Sequence, residues 1–203
     1  MLKPVIYIVH GWGGTPESDW YAWLKKMLEV HDAEAILPAM PNPDVPKINA
    51  WVSHLNEVVR NPSLNTYFVG HSIGCQTILR YLEILGKERV GGCLFIAPWL
   101  HLKETGYETE SERQIAKPWI ETPISWEKIR RHCSKFVSVF ARDDPFVPVE
   151  ESKMFEERLG SKTIVMPVKA HFTSGDGYKE LHVALNETLK LIGHDMRQTK
   201  DEV

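Results

Sequence analysis

Five consecutive residues, Gly70-His71-Ser72-Ile73-Gly74, satisfy the pattern G-x-S-x-G. The string gains meaning from its surroundings. Tyr67-Phe68-Val69 before it reads as a strand, and Ile73 opens a run with apolar residues at helical spacing. A serine at such a strand-to-helix turn needs unusual φ/ψ, and glycines two before and two after it let the backbone pass close without a Cβ clash. The turn lifts Oγ over the sheet and leaves the N–H of Ile73 at a helix N-terminus, where donor and dipole favour an oxyanion. Nucleophilic attack by Ser72 is the chemistry this predicts. The rival reading in the same setting is a glycine-rich turn around an ordinary serine.

A serine hydroxyl needs a base, and the base needs an acidic partner to orient it. In this type of layered fold the chain order is serine, aspartate, histidine. Arg142-Asp143-Asp144-Pro145 follows one predicted strand and Ala170-His171-Phe172 follows another, so both lie at strand carboxyl ends, where open α/β sheets bind ligands. Asp144 and His171 are the expected partners of Ser72, with Asp143 as the rival carboxylate and His101 as the alternative base. His71 is expected to point away from the nucleophile, and His10 ends the first strand. The second oxyanion donor should come from His10-Gly11-Trp12-Gly13-Gly14, with the N–H of Trp12 preferred over that of Gly11. This loop is not a phosphate loop: no Gly-Lys-Ser/Thr follows, and Pro16 takes the third glycine position of G-x-G-x-x-G. No H-E-x-x-H pattern occurs, and the chemistry calls for no metal or organic cofactor. Trp12, Trp20, Trp23, Trp99, Trp119 and Trp126 supply candidate walls for a substrate pocket, with Trp12, Trp99 and Trp119 singled out.

These residues must be positioned by a regular scaffold. Candidate strands cover Val5–Val9, Ala33–Leu37, Thr66–Val69, Cys93–Ala97, Phe136–Ala141 and Thr163–Val168. Candidate helices cover Asp19–Val30, Ile48–Val59, Ile73–Leu85, Glu150–Leu159 and Tyr178–Ile192. The alternation predicts an α/β fold in three layers, a mostly parallel sheet of about six strands with helices on both faces. One long connection, residues 98–131, is read as an insertion and partial lid, polar over Lys103–Arg113 and helical only near Trp126–Cys133.

At 203 residues the chain is expected to be a single domain, residues 1–203, ending in a polar tail over 194–203. Its hydrophobic fraction of 43% can fill a core, and a net charge of −3 without a basic run argues against a nucleic-acid or anionic-membrane partner. The longest apolar stretch, Cys93 to Leu100, is broken by Pro98 and too short to span a bilayer. The amino terminus leads straight into the first strand with no leader-like pattern, which predicts a cytoplasmic protein. Three cysteines without C-x-x-C spacing read as free thiols. No heptad repeat sets an oligomeric state.

Taken together the motifs resemble the small α/β-hydrolases that include YdeN-type proteins and retinoblastoma-binding protein 9. The resemblance rests on the Gly11–Gly14 loop with Trp20-Tyr21-Ala22-Trp23-Leu24, on Met40-Pro41-Asn42-Pro43 and on Gly70–Gly74. It continues through Trp126-Glu127-Lys128-Ile129, Asp143–Pro148 and Ala170-His171-Phe172. It implies an α/β-hydrolase fold with minimal or no cap, and serine-hydrolase activity on small esters or amide-like substrates. It also implies that Asp144, the second aspartate of its pair, and His171 complete the triad. Ala170 replaces the glycine common before the family's histidine, and no L-x-C-x-E signature surrounds any cysteine, so a retinoblastoma partner is not carried over. The reading that follows is a cytosolic carboxylesterase acting on a small-molecule substrate. Amide cleavage or acyl transfer by the same residues, and a non-catalytic interaction module on this scaffold, are the alternatives.

Overall fold

Six short apolar runs become six parallel strands: β1 (Val5–Val9), β2 (Glu34–Ile36), β3 (Thr66–His71), β4 (Gly92–Ile96), β5 (Phe136–Ala141) and β6 (Lys162–Met166). The computed structural model describes residues 3–107 and 109–193, and the polar tail expected over 194–203 lies outside the described residues. The spatial order is β2-β1-β3-β4-β5-β6. Every residue of β3, β4 and β5 is buried, as parallel strands covered on both faces require.

Among the described residues seven α-helices accompany the sheet: α1 (Tyr21–Val30), α2 (Ile48–Val58), α3 (Ile73–Ile84), α4 (Glu110–Glu121), α5 (Trp126–His132), α6 (Glu151–Leu159) and α7 (His182–Leu191). The two-residue period of the strands sorts them into two layers. Tyr7, Val9, Phe68, Phe95 and Phe140 pack on one face with Trp51 and Leu55 of α2, Ile78 of α3 and Phe155 of α6. Ile6, Ile8, Val69, Leu94 and Val139 pack on the other with Leu24 and Leu28 of α1 and Leu185 and Leu189 of α7. Among the described residues no helix is long and apolar enough to cross a membrane.

The order places β1 between β2 and β3, so the chain reverses its direction of travel across the sheet at β1. Loops leaving β1 and β3 therefore diverge and open a crevice at their carboxyl ends. Both sequence motifs of the opening analysis sit there.

The segment 98–131 is more regular than its sequence suggested. α5 forms where expected, but α4, 12 residues long, lies within the stretch read as irregular. Its start is a capping box: Thr109 Oγ1 accepts from Glu112 N–H, and the Glu112 carboxylate accepts from Thr109 N–H. Pro118 removes one helical donor near the end, yet its carbonyl still accepts from Thr122 N–H at 3.0 Å. The guanidinium of Arg80 on α3 donates to the carbonyls of Trp119 and Thr122, each at 2.9 Å, and fastens that end to the core. α7 starts later than Tyr178, because residues 173–177 close a separate turn around Asp176 with Gly177 at φ 91°.

Candidate active site

The carboxyl ends of β1, β3, β5 and β6 carry the residues that the sequence singled out. Ser72 follows β3 at φ 53° and ψ −120°, a strained conformation for a residue with a Cβ. It is held by its own amide, which donates to Ile96 O at 2.9 Å, and by its carbonyl, which accepts from Cys75 N–H at 3.0 Å. The flanking glycines are required by contact. A Cβ on Gly70 would lie 2.8 Å from Cys75 N, and one on Gly74 would lie 2.4 Å from Val9 O and 2.7 Å from His10 O. The helix start is pressed against the end of β1, and only glycine fits the gap.

Asp144 and His171 arrive from the loops after β5 and β6. Asp144 Oδ2 accepts from His171 Nδ1 at 2.8 Å, while Oδ1 accepts from the N–H groups of Phe146 at 2.8 Å and Val147 at 3.0 Å. The carboxylate is 1% exposed and bound on both oxygens, which orients the ring of His171 with a proton on Nδ1. Asp143, its neighbour, is exposed, and its amide continues the pairing toward Val168. The structure thus separates two aspartates that the sequence leaves adjacent. His101 does not join them: its Nδ1 pairs with Glu151 Oε1 at 2.9 Å and its side chain is 61% exposed.

Further groups hold this arrangement, and sequence reasoning missed them. Asp176 Oδ2 accepts from the amide of His171 at 2.8 Å, Trp20 Nε1 donates to Phe172 O at 2.9 Å, and Asp19 Oδ1 accepts from Ser174 N–H at 2.6 Å. Lys103 Nζ donates to the backbone carbonyl of Asp144 at 2.6 Å. The buried Glu151 carboxylate, its pKa raised by desolvation, accepts from Leu100 N–H at 2.6 Å and so fixes the chain next to Trp99. Trp99 Nε1 donates to Ser72 Oγ at 3.2 Å.

The ring of His71 is engaged with Tyr21 and the backbone of His171. It is buried at 2% exposure and lies 5.1 Å from that of His171, centroid to centroid. Nε2 donates to His171 O at 2.8 Å, and Nδ1 accepts from Tyr21 Oη at 2.5 Å. Burial, and then the adjacent His171, lower its pKa to about 4, so it is neutral at physiological pH. No local signal could reveal this, since both partners are distant in the chain. His10, its pKa lowered by burial, uses Nε2 to accept from Met40 N–H at 3.1 Å and serves the loop rather than the serine.

In the loop after β1, the N–H of Gly11 donates to Tyr21 Oη at 3.1 Å and is turned into the protein. The loop is anchored by Trp12 Nε1 on Asp44 O at 3.0 Å and Gly13 N–H on Pro43 O at 2.9 Å. These contacts give the Pro41–Pro46 stretch its purpose.

A cavity of about 350 Å³ opens over Ser72, walled by Trp12, Trp99, Leu102, Tyr107, Phe146 and His171. Two of the three singled-out tryptophans are therefore in place. Trp119 is a correction: it is 1% exposed, packs edge-on to Trp51 at 6.2 Å and donates Nε1 to Pro46 O at 3.1 Å. An indole on the inner face of α4 fills core because that face is where α4 meets α2.

Comparison with known proteins bears on the fold and the family. The chain is 27% identical over 179 residues to the Bacillus subtilis (strain 168) protein YdeN, covering 88% of this chain and 90% of that one. It is 26% identical over 182 residues to the serine hydrolase RBBP9 of Rattus norvegicus, covering 89% and 92%. The crystal structure of the B. subtilis ydeN gene product superposes with a TM-score of 0.85 at 24% identity, over 94% of this chain and all of that one. Est1E from Butyrivibrio proteoclasticus superposes at 0.72 with 14% identity, over 94% and 89%, and shares the α/β-hydrolase fold. The model of the serine hydrolase family matches residues 6–188, nine-tenths of the sequence, and the chain belongs to the serine hydrolase family.

Proposed function

We propose that the protein is a carboxylesterase for small esters that works through a covalent acyl-enzyme. Ser72 Oγ attacks the ester carbonyl carbon while His171 Nε2 takes its proton, and Asp144 stabilises the imidazolium that forms. The N–H groups of Trp12 and Ile73 receive the carbonyl oxygen as it gains charge. On collapse the imidazolium protonates the departing alcohol. Water, deprotonated by the same imidazole, then attacks the acyl-enzyme, and the carboxylic acid leaves as Ser72 regains its proton. The observation that carries the reading is the Asp144–His171 hydrogen bond at 2.8 Å, which orients a histidine that lines the same cavity as the strained Ser72. The modest volume of that cavity supports small acyl groups over long chains.

The test is labelling with a fluorophosphonate, with peptide mass spectrometry to find the modified residue and a series of p-nitrophenyl esters to measure turnover. The expected outcome is labelling at Ser72 that disappears in Ser72→Ala and His171→Ala, with turnover falling as the acyl chain lengthens. A folded wild-type protein that is neither labelled nor active on any ester would overturn the reading in favour of a binding role.

A further inference from the structure

Resting on the esterase reading, a second layer of residues acquires a role. We propose that Tyr21 and His71 are positioning residues that set the oxyanion loop and the His171 imidazole against each other through one directed chain of hydrogen bonds. The chain runs from Gly11 N–H to Tyr21 Oη at 3.1 Å, from Tyr21 O–H to His71 Nδ1 at 2.5 Å, and from His71 Nε2–H to His171 O at 2.8 Å.

Its direction follows from the neutral state of the His71 ring, with the Asp19 carboxylate as the rival acceptor for the Tyr21 hydroxyl. The carbonyl of His171 can only accept, so His71 carries its proton on Nε2. A neutral ring then presents a lone pair at Nδ1, which takes the hydroxyl proton of Tyr21 and leaves the phenol oxygen to accept from Gly11. Neutrality follows from surroundings that disfavour a cation there, since the ring is buried and His171 lies beside it. The carboxylates of Asp19 and Asp144 favour the opposite state, but less strongly than burial disfavours it. Tyr21 is itself 1% exposed and His71 2%, so the three bonds are made among buried groups.

The functional consequence lies at the two termini. Commitment of the Gly11 amide to Tyr21 leaves Trp12 N–H as the oxyanion donor of this loop. Fixing the carbonyl of His171 fixes the residue whose Nε2 must reach Ser72. α1 supplies Tyr21 and the Ser72 turn supplies His71, so the nucleophile, the base and the oxyanion loop are registered through one pair of side chains.

Two measurements on the full-length protein test this. Tyr21→Phe removes one hydroxyl and keeps the ring. The expected result is a fall of about 10- to 100-fold in kcat for p-nitrophenyl acetate and in the rate of fluorophosphonate labelling, with KM within about twofold of wild type. His71→Gln, which keeps a donor for His171 O but loses the acceptor for Tyr21, should lose less kcat than His71→Asn, which does the reverse. Two-bond ¹H–¹⁵N correlation spectra should show His71 at pH 7 as the Nε2–H tautomer, with the Nδ1 resonance shifting in Tyr21→Phe. An Nδ1–H tautomer or an imidazolium in the wild type overturns the proposal whether or not any variant folds. So does a folded Tyr21→Phe protein that turns over within about twofold of wild type. A wild type that labels at Ser72 beside an indifferent Tyr21→Phe rejects the relay alone, whereas an unlabelled and inactive wild type rejects the esterase reading and the relay together.

Discussion

Asp144→Asn exchanges one carboxylate oxygen for an amide nitrogen and leaves the shape unchanged, so its effect can be reasoned atom by atom. Oδ1 accepts from two backbone N–H groups and Oδ2 from His171 Nδ1. An asparagine has one oxygen for these two positions. Facing the NH2 toward Phe146 and Val147 would set donor against two donors, so the oxygen stays there and the NH2 turns to His171. Nδ1 must then present a lone pair, which moves the imidazole proton to Nε2. A protonated Nε2 cannot take the serine proton. Restoring the working tautomer would place two buried donors head to head, and the expected loss is about 10³- to 10⁴-fold in kcat, or about 4 to 5.5 kcal/mol of barrier. KM should stay within about threefold, because the carboxylate is buried beneath the histidine rather than facing the cavity. Stability should hold to within about 2 kcal/mol, since the backbone bonds to Oδ1 survive. The assay is steady-state hydrolysis of p-nitrophenyl acetate beside the rate of fluorophosphonate labelling, with the exposed Asp143→Asn as control, expected to match wild type. The reasoning is refuted by an Asp144→Asn enzyme that keeps a tenth of wild-type kcat, or by Asp143→Asn being the variant that fails.

Two further outcomes follow from the packing and the charges. In Gly74→Ala the new Cβ, 2.4 Å from Val9 O, must drive α3 away from β1; thermal denaturation should show a loss of about 1 to 3 kcal/mol, and kcat should fall about 100-fold as Ser72 and Ile73 move with the helix. A wild-type Tm and kcat in that variant would show that the close approach is not needed. His71 has a folded pKa of about 4 against an ordinary 6.5, so between those values the unfolded chain binds a proton that the folded chain excludes. The stability contributed by this group is complete above pH 6.5 and is lost as pH falls toward 4, by about 3 kcal/mol in all. Urea midpoints taken at pH 7 and pH 4.5 should therefore differ less in His71→Gln than in wild type, and equal differences would remove His71 as the cause.

Much of the scaffold could be read from short windows. β1 and β5 span the residues expected of them, because continuous apolar, β-branched runs can be buried on both faces only as interior parallel strands. The two glycines around Ser72 were legible for a related reason: a tight turn is a matter of backbone sterics within a few residues. α4 was concealed by its polar composition and by Pro118, although Thr109 and Glu112 carried its capping signal in plain view. Trp119 could not be told from Trp99, since an indole has the same composition whether it faces a cavity or a neighbouring helix.

The sequence by itself determined the class of fold, the turn that presents Ser72, and the chain order in which an aspartate and a histidine follow at strand ends. These depend on local conformational preference and on the period with which apolar residues recur. The folded chain alone sets which of two adjacent aspartates is buried against His171, that the Gly11 amide is taken up by Tyr21, and that His71 faces inward between Tyr21 and His171. Those choices are made by partners 50 and 100 residues away for His71 and 27 for Asp144. Hydrogen-bond partnership across such separations exists only after the sheet has closed, so no window of sequence contains it.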